Sequence, residues 1–91
     1  MTYPRQLLRQ LHQLLPHGQW RVVQERPWFS LTFSGAQVML TYFPDAPRAV
    51  EEITAVLKAH EFSLRNQFVA DIAVEAAADG GLVVVLLVLE G

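Results

Sequence analysis

The chain has 91 residues, 52% of them apolar, 18% charged and 10% aromatic, the make-up of one compact domain whose large apolar side chains must reach a core or an interface. It has no cysteine, which excludes disulfides, thiolate metal sites and thiol catalysis. The net charge of −2 is unevenly split: Arg5, Arg9, Arg21 and Arg26 against Glu25 give the stretch up to Pro44 a charge of +3, and the rest carries −5. A dipolar surface of this kind suits self-association or a charged protein partner.

Leu7, Leu8, Leu11, Leu14 and Leu15 recur at helical spacing with Arg5, Arg9, Gln10, His12 and Gln13 opposite them, so Pro4 to Leu15 is expected to be an amphipathic helix. Thr2 would cap it, Pro4 fits its first turn, and Pro16 and Gly18 end it. Trp20 to Glu25 is rich in residues that suit a pleated surface and breaks at Arg26-Pro27, which marks a first strand. Trp28 to Ser34 alternates Phe29, Leu31 and Phe33 with Ser30, Thr32 and Ser34, a second strand, and Gly35 is expected to reverse the chain into a third, Gln37 to Phe43.

A second helix is expected after Pro44, with Asp45 as cap, Pro47 in the first turn, Glu51 and Glu52 near the positive end of the dipole, and Arg48 and Glu52 as an i,i+4 pair. Its apolar face carries Ala46, Ala49, Val50, Ile53, Val56, Leu57 and His60. Gln67 to Ala77 alternates Phe68, Ala70, Ile72, Val74 and Ala76 against Val69, Asp71, Ala73, Glu75 and Ala77, a half-buried strand. Asp79-Gly80 is a type I′ hairpin signal, and Leu82 to Leu89 is the last strand, apolar on both faces. The expected architecture is therefore a single-domain α+β two-layer sandwich over residues 1–91. A five-stranded, mainly antiparallel sheet has two helices on one face, in the order α-β-β-β-α-β-β.

Motifs for catalysis, metals and cofactors are not found. His12 and His17 do not share a helix face, and His60 in a last turn reads as a packed or capping residue. Asp71 and Glu75 on one strand lie about 13 Å apart, too far to share a proton. Ser34-Gly35 lacks the preceding glycine of a nucleophile elbow, and Gly80-Gly81 precedes a strand rather than a phosphate-binding helix. Arg5, Arg9 and His12 form a basic stripe, but a single lysine and the acidic balance argue against nucleic acid. The eight-residue run Leu82 to Leu89 is far short of the roughly 20 residues that span a bilayer, and the N-terminus carries no apolar leader, so a cytoplasmic location is expected.

One sheet face is left without a helix. The last strand places Val83, Val85, Leu87 and Leu89 there, Met39 and Phe43, or else Val38 and Leu40, are expected to join them, and Trp28 is a candidate anchor. The expected function is a non-enzymatic interaction module, homodimeric, that binds itself and a further protein through this face or an edge strand. The alternative is a small-molecule or peptide site between the helices and the aromatic residues Trp20, Trp28, Tyr42, Phe29 and Phe33. In element order alone the chain resembles the small acidic chaperones of bacterial type III secretion. That resemblance implies dimerisation and the binding of extended client segments, although those chaperones carry a further C-terminal helix that has no counterpart here.

Overall fold

A computed structural model describes residues 5–90 of the protein. In chain order it has α1 (Arg5–Leu14), β1 (Gly18–Phe29), β2 (Ser34–Pro44), α2 (Val50–Ala59), β3 (Gln67–Ala76) and β4 (Leu82–Glu90). The strands form one antiparallel sheet in the order β1-β2-β4-β3, so β2 and β4 are central and β1 and β3 are the edges. Thr2 and Pro4, expected to open the first helix, lie outside the described residues. No helix among the described residues is long and apolar enough to cross a membrane.

The α+β class with two helices on one face is as the pattern indicates, but there are four strands rather than five. The expected first strand runs on through Pro27 to Phe29 as β1, because Pro27 interrupts nothing when its missing N–H belongs to an edge strand, while the expected second strand, Trp28 to Ser34, does not form. The reversal falls not at Gly35 but at Ser30–Phe33. There the Ser30 backbone N–H donates to the Phe33 carbonyl (2.8 Å), and the Ser30 hydroxyl accepts from the Phe33 and Thr32 amides at 3.0 and 3.3 Å. The alternation of Phe29, Leu31 and Phe33 therefore belongs to a projecting hairpin tip, where Leu31 is fully exposed. The resulting order α-β-β-α-β-β has one strand fewer than the order on which the chaperone resemblance rests.

Three local expectations change for identifiable reasons. Asp45 does not cap α2, because its amide is tied to the His17 carbonyl (2.9 Å) as an extension of the β1–β2 pairing; the helix starts after Ala49, with no side-chain cap. The Ala77–Gly81 hairpin closes through Gly80 N–H to Ala77 C=O (3.3 Å) with Gly80 at φ 88°, and Asp79 keeps a negative φ, so the turn is not type I′. A bulge between Val69 and Asp71 breaks the period of β3, so that Val69 joins Ile72, Val74 and Ala76 on the helix side while Phe68 joins Asp71, Ala73 and Glu75 on the other. A second bulge, at Val23, does the same to β1.

The core is the helix-facing side of the sheet. Ala36, Val38, Leu40 and Tyr42 of β2 and Leu82, Val84, Leu86 and Val88 of β4 are buried against Leu7, Leu11 and Leu15 from the first helix region and Ile53 and Leu57 from α2. Gln10 locks the helical layer: its Nε2 donates to the Ser63 carbonyl (2.8 Å), and its Oε1 accepts from the Ser63 amide (3.0 Å) and lies 3.0 Å from His60 Nε2. Trp20 and Tyr42 pack ring to ring at 4.6 Å within this core, and the Tyr42 hydroxyl donates to the His17 carbonyl (3.3 Å). The aromatic residues expected to line a pocket are thus separated: Trp20 and Tyr42 lie in the core, Trp28 is half-buried on β1, and Phe29 and Phe33 stand exposed at the hairpin tip.

Burial raises the Tyr42 pKa above its ordinary value of 10.0, with nearby Arg48 opposing the rise and Asp45 adding to it. The neutral phenol is the form the fold prefers, so its stabilisation is whole below about pH 10, where the unfolded chain also keeps the proton, and is lost as pH rises through the higher folded value. Tyr42→Phe should lower stability by about 1 kcal/mol at neutral pH. It should also flatten the loss of stability above about pH 10, read from urea midpoints measured across that range.

Candidate functional site

Each helix has ten residues, about 15 Å of length, whereas the twelve residues of β1 extend about 40 Å. Two such helices can cover much of one sheet face and nothing of the other. Residues directly opposed in an antiparallel ladder share a face, so the register identifies what the uncovered face carries. Reading from β1 through β2 and β4 to β3, four rows cross it: Arg21, Thr41, Val83, Glu75; then Gln24, Met39, Val85, Ala73; then Arg26, Gln37, Leu87, Asp71; and finally Trp28, Gly35, Leu89, Phe68.

All seven residues singled out in the sequence stand on this face. Met39, Val83, Val85 and Leu87 are half-buried by their neighbours in the pleat, as is Trp28. Leu89 is almost fully shielded at 6% exposure, while Phe43 is exposed near the opposite end, paired with Gln19. The central position of β4 accounts for the shielding, since side chains from both flanking strands lean over it. What remains is an apolar strip of Val83, Val85, Leu87 and Met39, with aromatic rings at either end.

Sequence reasoning missed several residues of the surface. Phe68 reaches this face only because of the β3 bulge, and its ring makes an edge-to-face contact with Phe33 at 5.9 Å, carrying the apolar surface onto the hairpin tip. Gly35 sits opposite Trp28, and a Cβ there would collide with the Val88 carbonyl oxygen and approach the Leu89 Cα to 2.9 Å. Most consequential are the charges: Arg21 and Arg26 line the β1 side of the face, and Asp71 and Glu75 line the β3 side. The charge split along the chain foreshadows this arrangement, but only the sheet order makes it visible.

Two concavities adjoin the sheet. One, of about 640 Å³, lies between the C-terminal end of α2 and the outer edge of β3, lined by Lys58, His60, Glu61, Phe62, Val69 and Ile72 among others. The second, of about 340 Å³, lies beside Arg21, Thr41, Phe43 and Asp79 at one end of the uncovered face. The Thr41 hydroxyl is buried without a hydrogen-bond partner. Among the described residues, no three His, Asp or Glu side chains gather as metal ligands would. Comparisons with protein-family models, curated proteins and solved structures find no match to this chain.

Gly35 is where the geometry of this face is most constrained. Gly35→Ala should cost about 1 to 3 kcal/mol, because the methyl group has no space between β2 and β4. Chemical denaturation would record the loss, and amide exchange should show it concentrated where Gly35 opposes Leu89.

Proposed function

We propose that the protein is a non-catalytic interaction module of the cytoplasm, whose working surface is the uncovered sheet face and which self-associates through it. The observation that carries this reading is the apolar strip of Met39, Val83, Val85 and Leu87, flanked by Phe43, Phe68 and Trp28 on a face that no helix covers. Binding through such a strip releases water from apolar surface and needs no change in the backbone.

Edge pairing supports association less well. Both edge strands carry a bulge, at Val23 and near Ala70, and β1 also contains Pro27, three devices that blunt a sheet edge against strand addition. The concavity beside β3 nonetheless gives a second reading, in which an extended peptide, of the kind the chaperone resemblance implies, lies along that edge against Phe62 and Ile72. Phe68 and Asp71 border both this groove and the open face, but the centre of the apolar strip, Val85 and Met39, does not line the groove.

Val85→Asp places a carboxylate at the centre of the strip on a side chain that faces away from the helical core. The expected result is a folded chain by circular dichroism with self-association reduced at least about tenfold, measured by light scattering across a concentration series. Wild-type association that is unchanged by Val85→Asp would refute the open face as the working surface, and peptide capture that survives the substitution would move the site to the groove beside β3.

A further inference from the structure

Resting on that reading of the open face, we infer that its occupant is a second copy of this chain. The two copies would be related by a two-fold axis that runs parallel to the strands, midway between β2 and β4. The inference comes from how charge is distributed across the rows. Arg21 and Glu75 occupy the two ends of one row, and Arg26 and Asp71 the two ends of another. Four strands spaced about 4.8 Å apart hold the members of each pair roughly 14 Å from one another at the backbone, beyond the screening length of about 8 Å in physiological salt. Between described residues the chain forms one ion pair, Arg48 to Glu52, so the face carries a basic margin and an acidic margin that do not neutralise each other.

A two-fold axis along the strands turns this into complementarity. It lays β1 of one copy over β3 of the other and β2 over β4, and it keeps the rows level. Arg21 then faces Glu75 of the second copy, Arg26 faces Asp71, and Trp28 faces Phe68, each contact occurring twice by symmetry. Two sheets packed face to face sit about 10 Å apart, a gap that a long arginine side chain spans. The other face-to-face two-fold, across the strands, sets β1 on β1 and β3 on β3, so basic margin meets basic margin and acidic meets acidic. Only the first arrangement is electrostatically favourable.

Area is compatible with a stable dimer. Four strands cover about 19 Å, and the stretch from Gln19 to Trp28 about 27 Å, so the projected face is roughly 500 Å². The relief of the side chains brings the accessible area toward the roughly 800 Å² per partner of a standard interface. The half-buried strip would supply the interface core, and the charged margins its solvated rim.

The test is a charge swap, read by light scattering and by sedimentation across concentrations up to about 0.5 mM. Two double variants are needed, Arg21→Glu with Arg26→Glu, and Asp71→Arg with Glu75→Arg; all four side chains are exposed, so the core is untouched. Wild type should dimerise, each double variant alone should dimerise at least about tenfold more weakly, and an equimolar mixture of the two should form a heterodimer near wild-type strength. Raising the salt should weaken the wild-type dimer. If both double variants dimerise as wild type does, or if mixing restores nothing, the proposed arrangement is wrong; Val85→Asp still abolishing association would then leave the open face standing as the binding surface. A wild-type chain that stays monomeric throughout overturns the self-association reading as well.

Discussion

A sheet has two faces, and the helices of this chain cover one. The strongest constraint on the structure is the burial of the helix-facing residues of the two central strands, Val38, Leu40 and Tyr42 of β2 and Val84, Leu86 and Val88 of β4, all at 1% exposure or less. Fully burying an aliphatic side chain of this size is worth about 1.5 to 3 kcal/mol, so these positions and their helical partners Leu7, Leu11, Ile53 and Leu57 dominate the stability. Their alternation fixes the register of β2 against β4, because slipping by one residue would exchange every core side chain for one from the open face. Everything on the open face is therefore placed by forces acting on the other side of the sheet.

Where a segment's local pattern and its tertiary role agree, the sequence is legible. The heptad-like leucines of α1, the Val50–Ala59 helix with its Arg48–Glu52 pair, and the Leu82–Leu89 run all form the expected elements, and both faces of β4 are as the alternation indicates. The misreadings cluster where one residue has two physical meanings. Pro27 reads as a break, yet it is tolerated on an edge strand, and whether β1 is an edge depends on contacts with distant residues. Gly35 reads as a turn, yet it is a site of close approach between β2 and β4, while the turn belongs to a serine whose hydroxyl collects two backbone amides.

Bulges set the other limit. Alternation cannot reveal that an extra residue near Ala70 will exchange Phe68 and Val69 between faces, because the two-residue period is intact on either side of it. The consequence for the candidate site is concrete. Counting straight through β3 puts Phe68 in the core with Ile72 and leaves Val69 beside Asp71; the bulge brings Phe68 to the open face, where Phe33 meets it edge to face. The seven residues chosen for the surface lie on β1, β2 and β4, and every one is on the open face; the contribution of β3 had to come from the structure.

The charge pattern shows how topology can give meaning to composition. A chain that is basic in its first half and acidic in its second need not have any directed surface field, since each half contributes to both faces. Here β1 comes from the first half and β3 from the second, and the order β1-β2-β4-β3 drives them to opposite margins with the apolar strip between. Had β3 and β4 exchanged places, Asp71 and Glu75 would stand next to β2, close enough to pair with basic residues of the same sheet, and the face would carry little net asymmetry. Held at the two margins, the charges are too distant to satisfy one another, and a surface that is basic on one side, apolar along the middle and acidic on the other is complementary to itself after a half-turn about the strand direction.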